Sequence, residues 1–312
     1  MHSLPRLICA ALLALIALAL TARASGDSAL TREDDQATMS PDGSTIAFIS
    51  DKNGWPGLWL ANGDGSAPRE LLNWQSITIN DPAWSRDSKN IVFSSNIDSM
   101  GYDLWTSDIQ GKDQYRLTRD AGINGAPRYS PDGKTILFVS NRTGKRELWL
   151  MNADGSNQHA LGLQDLIVNT PSWSPDGKAI VYSGCVRPPS GGSLSEGRCN
   201  LYTAPVDASV TKQITMGKVT AITDGQFQDW DPDWGPEGIV FSSSRNGGHT
   251  LWLIDADGNN LREIKTGAGI ALYPRWTNTR HKIIYINLVK TALTVWATDL
   301  DGRAAQLINW PN

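Results

Sequence analysis

One short phrase recurs six times along this chain, and its spacing leaves few folds open. Trp173-Ser-Pro-Asp-Gly-Lys178 is closely matched by Tyr129–Lys134 and Met39–Ser44, and more loosely by Trp84–Lys89, Trp234–Gly238 and Trp276-Thr277. Each copy carries four apolar stretches in a fixed order, here called a to d. Stretch a ends at Met39, Trp84, Tyr129, Trp173, Trp234 and Trp276. Stretch b brings an aromatic nine residues later (Phe48, Phe93, Phe138, Tyr182, Tyr285), except in the fifth copy, where Phe241 follows after seven. Stretch c carries Trp59, Trp105, Trp149, Tyr202, Trp252 and Trp296. Stretch d is placed twelve residues further on, at Leu71, Leu117, Leu161, Ile214, Ile264 and Ile308.

The connections are hairpin chemistry. Ser-Pro-Asp-Gly between a and b presets one φ with proline and accepts a positive φ at glycine. Asp64-Gly65, Asp154-Gly155, Asp257-Gly258 and Asp301-Gly302 lie between c and d, and Asp-Gly is a strong hairpin signal. Four short antiparallel strands repeated six times at about 45 residues describe an all-β fold, a six-bladed β-propeller of four-stranded antiparallel blades. A lone blade cannot bury both of its faces, so the recurring aromatics are read as blade-to-blade packing.

The N-terminus is different in kind. Arg6 precedes the apolar run Leu7–Leu20, and Ala22-Arg23-Ala24 offers small residues two apart. Residues 1–24 are expected to be a cleaved signal peptide and 25–312 a single propeller domain, exported to the periplasm or beyond the cell. The run falls short of the ~20 residues of a spanning helix, and no later segment is apolar enough to cross a bilayer. Cleavage leaves 26 basic against 32 acidic residues, with no block of like charge. That balance argues against nucleic acid or an anionic membrane as a partner. Cys185 and Cys199 remain, 14 apart, as a disulfide candidate in an oxidising compartment, with free thiols as the alternative. Such a closure could stabilise by ~3 kcal/mol.

Pro171–Tyr182 and Leu148–Ser156 carry the pattern Pro-x-Trp-Ser-Pro-Asp-Gly-Lys and Leu-Trp-x-Met-x-Ala-Asp-Gly-Ser. This resembles the TolB-type propeller repeat, and the resemblance runs from Ala37 to about Trp310. It implies an exported propeller that binds something, with protein as the expected partner. TolB itself has an α/β domain before its propeller, and only about a dozen residues separate Ala24 from the first strand here. The same repeat occurs in peptidase-associated propellers and in lyases of pectic oligosaccharides, so fold does not dictate function.

Strand alternation places a–b and c–d turns on one face, here the turn face, and b–c and d–a connections on the other, the loop face. The b-to-c interval is 11 or 12 residues in five copies and 20 in the fourth. The Ile214-to-Trp234 interval is also 20, against 12 or 13 at the other joins. Both insertions are therefore expected on the loop face, which makes it the candidate binding surface. Trp55, Trp74, Trp230 and Trp310 fall outside the repeat positions on this same face, as partner anchors or as rings packed over blade edges. Strand a should line the channel, so Asp34, Asp35, Asn80, Asp81, Asn124, Asn169, Asp229 and Asp231 should ring its mouth. They could receive a basic segment or a hydroxylated ligand, hold Ca2+, or merely cap strand ends. Arg142 and Arg245 follow strand b and are read first as salt-bridge residues to a neighbouring blade. The ligand-binding candidates are Trp55, Trp74, Asp81, Asn169, Asp229, Trp230, Asp231 and Arg245.

There is no Gly-x-Ser-x-Gly elbow and no phosphate-binding glycine loop. Four histidines, one of them His2 in the leader, cannot make a histidine-rich metal site. No cofactor is expected. Two functions stay open: a monomeric, non-enzymatic protein-binding scaffold of the envelope or exterior, and a carbohydrate-binding or lyase-like propeller using Trp230, Trp74, His249, Arg245 and the rim aspartates. Convergence of His249, an arginine and an aspartate in one cleft would favour the second.

Overall fold

The computed structural model describes residues 34–308 apart from 76, 98–100, 121, 163–165, 187–197, 208–214, 217, 279–280 and 291. The expected leader, Trp310 and Ile214 lie outside the described residues. Blade 1 is β1 (Asp34–Met39), β2 (Thr45–Ser50), β3 (Gly57–Asn62) and β4 (Arg69–Leu72). Blade 2 is β5 (Ile79–Trp84), β6 (Asn90–Ser95), β7 (Asp103–Asp108) and β8 (Gln114–Arg116). Blade 3 is β9 (Asn124–Tyr129), β10 (Thr135–Ser140), β11 (Glu147–Asn152) and β12 (His159–Ala160). Blade 4 is β13 (Ile167–Trp173), β14 (Ala179–Cys185), β15 (Cys199–Asp207), β16 (Thr215–Met216) and β17 (Thr220–Ala221). Blade 5 is β18 (Asp229–Gly235), β19 (Gly238–Ser243), β20 (Thr250–Ile254) and β21 (Arg262–Ile264). Blade 6 is β22 (Ile270–Trp276), β23 (Ile283–Val289), β24 (Ala292–Thr298) and β25 (Ala304–Gln306). Each blade is a separate antiparallel sheet, five of them four-stranded in chain order and blade 4 with both β16 and β17 paired to β15, the six-bladed propeller expected. No helix among the described residues is long and apolar enough to cross a membrane.

The b aromatics are fully buried, and each lies directly across the ladder from the c aromatic of its own blade, as Phe138 does from Trp149. The a-position rings reach backwards. Trp84 and Trp173 pack on the preceding blade and donate their indole N–H to Thr38 O and Arg128 O, both at 3.2 Å. Six apolar clusters result, one per junction. The sixth joins blade 6 to blade 1 through Leu272, Ile284, Ile286 and Ile308 against Ala37, Ile46 and Phe48. All four strands of blade 6 come from the C-terminal side, as the twelve-residue spacing requires.

The Ser-x-Asp turn explains the repeated phrase. Ser130 Oγ donates to Asp132 Oδ1 at 2.6 Å and accepts the Thr135 amide at 3.0 Å, and Ser40, Ser85 and Ser174 do the same in their copies. The serine hydroxyl, as the largest cause, holds Asp42, Asp87, Asp132 and Asp176 below the usual carboxylate range. A depressed folded pKa contributes stability that is present above the unfolded value near 3.9 and is lost as pH falls through the folded one. A Ser85/Ser130/Ser174→Ala triple variant should therefore be less stable than wild type at pH 7, and the gap should narrow as pH falls below about 4. Urea midpoints across that range check this, and a pH-independent gap would refute it.

Blade 4 corrects one expectation. The residue in the d position is not Ile214. Ile222 donates its amide to Leu201 O as Leu117 does to Leu104 O and Leu161 to Leu148 O, and it is buried. β15 runs on to Asp207 and pairs with β16 beside the a–b turn, where Val206 N reaches Lys178 O. The surplus of the 214–234 interval thus belongs to a longer c–d hairpin on the turn face. Ile222 to Trp234 is the ordinary twelve-residue join. Only the insertion between Cys185 and Cys199 lies on the loop face.

Candidate functional site

Every inner strand breaks its ladder register with a bulge, and the bulge residue turns toward the channel axis. These residues are Gln36, Asp81, Ala126, Thr170, Asp231 and Tyr273, and all but Thr170 take φ near +50°. They form a hydrogen-bonded collar. Asp81 N donates to Gln36 Oε1 (2.5 Å), Ala126 N to Asp81 Oδ2 (3.0 Å) and Thr170 Oγ1 to Asp231 Oδ1 (2.8 Å). Two residues further along, Arg128, Ser172, Asp233 and Arg275 make a second layer. Asp233 accepts from Ser172 Oγ at 2.9 Å and from the Trp276 amide at 2.7 Å.

Between the layers the channel narrows to about 10 Å³, lined by Gln36, Asp81, Arg128, Tyr273 and Arg275. That is room for one water at most. Burial and the like charge of Arg275 lower Arg128 to about 9, opposed by Asp81, Asp233 and Asp231, and it stays protonated at neutral pH. Burial raises Asp231, with Arg275 opposing. On the loop face a cavity of about 210 Å³ opens beside the collar, with Asn80, Asp81, Tyr102, Ile123, Asn141 and Arg146 in its wall. Burial lowers Arg146 and Asp81 opposes this.

The structure separates the sequence candidates. Asp81 and Asp231 line the channel. Asn169 sits at the foot of the insertion, its amide 3.5 Å from Cys185 Sγ, and Cys185 and Cys199 form a disulfide. Asp34, Asn124 and Asp229, expected on the rim, are buried instead, because their place opposite the last residue of strand b points them into the blade. Asp229 pairs with Arg245 at 2.7 Å and takes Ser243 Oγ at 2.7 Å. Arg245 lies over Phe241 and Trp252, and Arg142 takes the same post over Phe138 and Trp149 with Asp120 at 2.9 Å. These arginines are structural latches, as first read, but Arg245 closes on its own blade. Trp74 packs against Phe93 and Trp105, both at 5.8 Å, so it is a wedge between blades 1 and 2. Trp230 stacks on the buried His249 at 4.9 Å. Trp55 is exposed.

His249 does not converge with Arg245 and Asp229. Ser242 and Trp230 are opposite each other on one side of blade 5, where His249 Nδ1 lies 3.2 Å from Ser242 Oγ, facing blade 6. Ser243 and Asp229 occupy the other side, facing blade 4 with Phe241. Burial lowers His249 to about 4, which keeps it neutral at pH 7. Among the described residues no group of three or more His, Cys, Asp or Glu could hold a metal ion, so the Ca2+ reading gains nothing.

Sequence reasoning missed Arg128, Arg275 and Arg146. The first two stand one residue before the a-position ring, two beyond the bulge, so alternation could have placed them in the channel. Arg146 is in an irregular loop and carries no such signal.

A charged channel lies beneath an irregular loop face. The family sequence model described as TolB beta propeller domain matches residues 37–187. An uncharacterized protein of Agrobacterium fabrum is 30% identical over 80% of this chain and 68% of its own. The Tol-Pal system protein TolB of Wolinella succinogenes is 33% identical over 35% of this chain and 26% of its own, so the match spans about a quarter of that relative. The tricorn protease superposes with a TM-score of 0.66 at 16% identity, over 91% of this chain and 27% of that one, which shows a shared fold alone. This chain belongs to the TolB-like β-propeller family.

Proposed function

We propose that this protein is an exported, non-enzymatic scaffold that takes a protein partner on its loop face. The observation that carries the reading is the set of large apolar side chains left in water there. Trp55, Ile123 and Val186 are 46%, 53% and 56% exposed, and all three stand on the loop face. Isolated exposed apolar residues are ordinary, but three on one face, with Ile123 in the wall of a polar cavity, have the composition of a binding surface. The cavity beside Ile123 offers Asn80, Asp81, Asn141 and Arg146 to a polar segment of the partner. Export is supported by the signal-like N-terminus and by the disulfide, which suits an oxidising compartment. The relative named as a Tol-Pal system protein agrees with a partner in the envelope. The lyase-like alternative loses its main support with His249 and Arg245 on opposite sides of blade 5.

The test is photo-crosslinking from positions 55 and 123 in intact cells, with position 261 on the turn face as control. A shared adduct from 55 and 123 alone is expected. A Trp55→Ala/Ile123→Asp variant should weaken capture of that partner at least about tenfold with its melting temperature unchanged. Equal adducts from all three positions would sink the reading. Trp74→Ala should act otherwise, costing about 3 kcal/mol of stability through its lost burial.

A further inference from the structure

The turn face carries a groove of about 860 Å³ between blades 2 and 3, well within the size range of ligand sites. Three departures from the repeat meet in it. At the residue after the c aromatic, Leu60, Leu150 and Leu253 are buried beneath Trp84, Trp173 and Trp276 of the following blade. At this junction the pair is Thr106 and Tyr129, both smaller and more polar; threonine recurs at this position as Thr203, but there the facing ring is Trp234. Thr106 Oγ1 is buried without a hydrogen-bond partner, the Tyr129 phenol lying near it but outside hydrogen-bond geometry. The third departure is Arg86, where the other Ser-x-Asp turns have Pro41, Pro131 and Pro175. Its stem lies against Gly133 of the next blade, and its guanidinium has no hydrogen-bond or ion-pair partner among the described residues.

The remaining wall tells what would suit the groove. Tyr115 stands at its side 62% exposed, a flat ring offered to solvent. Asp87, Asp132 and Asp154 each spend Oδ1 on their own turn, at 2.6 Å from Ser85, Ser130 and Ser156. The second oxygen of each carboxylate is fixed in direction and open. Lys89 and Lys134 stand beside two of these acids, and Arg86 and Arg116 are in the wall. The groove therefore offers oriented acceptors, one free cationic donor and an aromatic plate. A ligand with many hydroxyls and one apolar face uses all of these, whereas an organic ion uses half of them and is repelled by the other half.

We propose that this groove binds a neutral saccharide one or two units long, with Tyr115 as the stacking plate and the turn aspartates accepting from ring hydroxyls. It is separate from the loop face and stands whether or not a protein binds there. The full chain would be titrated with cellobiose and with N,N′-diacetylchitobiose by ligand-observed NMR. Phenylacetate, benzylamine and a capped Ala-Tyr dipeptide would serve as comparators. At least one disaccharide should bind with a Kd of about 5 mM or lower and the comparators more weakly. Tyr115→Ala should weaken binding about fivefold. Thr106→Leu/Tyr129→Trp, which restores the repeat and fills the groove, should abolish binding while leaving the melting temperature equal or higher. Three results would each overturn the proposal: no disaccharide binding at about 10 mM, tighter binding of any comparator, or both variants binding as wild type does.

Discussion

Gly65→Ala should cost about 3–4 kcal/mol and be the worst of the alanine substitutions at the c–d turn glycines. Five of these glycines share one duty. Gly65, Gly111, Gly155, Gly258 and Gly302 all have φ between +72° and +87°, and each presses on the outer strand of the blade before it. A methyl carbon would stand 2.6 Å from Lys265 O at Gly302, 2.9 Å from Leu117 O at Gly155, 3.0 Å from Leu71 O at Gly111 and 3.1 Å from Ile222 O at Gly258. At Gly65 it would overlap the Leu307 carbonyl group outright. Every site bears the left-handed strain of about 1–2 kcal/mol, but only Gly65 adds a full collision with backbone that cannot rotate away. The collision also falls on the seam between blades 6 and 1, where the described strands meet by packing and none is exchanged. Urea denaturation of the five variants should rank them 65, 302, 155, 111, 258. A flat series would show that strain alone matters and that the close approach is incidental.

That shared contact also explains how far the sequence could be read. The glycines, the Ser-x-Asp turns and the six b–c aromatic pairs recur because each junction solves the same packing problem, so periodicity exposes them. The bulge ring was partly legible: Asp81 and Asp231 were placed at the channel, but Gln36 and Tyr273 do not look like channel residues. The disulfide was legible because Cys185 and Cys199 end neighbouring strands. Ile214 misled for a physical reason. An isoleucine twelve residues after Tyr202 satisfies an apolar pattern as well as Ile222 does, and only pairing with Leu201 distinguishes them. Trp74 and Trp230 misled in another way. A loop tryptophan carries no periodicity to show whether its ring turns outward or folds onto Phe93, Trp105 or His249. Trp55, in the same class, stayed outside.

The fifth copy supplies the second large effect, and it runs against the repeat. Consensus substitutions usually stabilise, and Gly235→Ser would restore the Trp-Ser-Pro phrase of copy four. It should instead destabilise by about 2–3 kcal/mol, lowering the melting temperature by roughly 5–10 °C. Copy five is two residues short between its a and b rings, so β18 runs on to Gly235, which pairs directly with Gly238. This tight hairpin leaves no Ser-x-Asp loop for a hydroxyl to brace. The vacated space is taken by blade 6. Trp276 lies across the hairpin, donating its indole N–H to Gly238 O at 3.1 Å. A Cβ on residue 235 would fall inside that indole, with Cδ2 at 2.5 Å and Cγ and Cδ1 nearer still. Gly235 is thus fixed by close approach and not by φ. If so, shrinking the partner should relieve the clash: Gly235→Ser/Trp276→Leu should be more stable than the sum of the two single losses by about 1–2 kcal/mol. Thermal and urea unfolding of the four proteins in that cycle would measure the coupling. Strict additivity would mean that the serine is rejected by the hairpin itself and that Trp276 is a bystander.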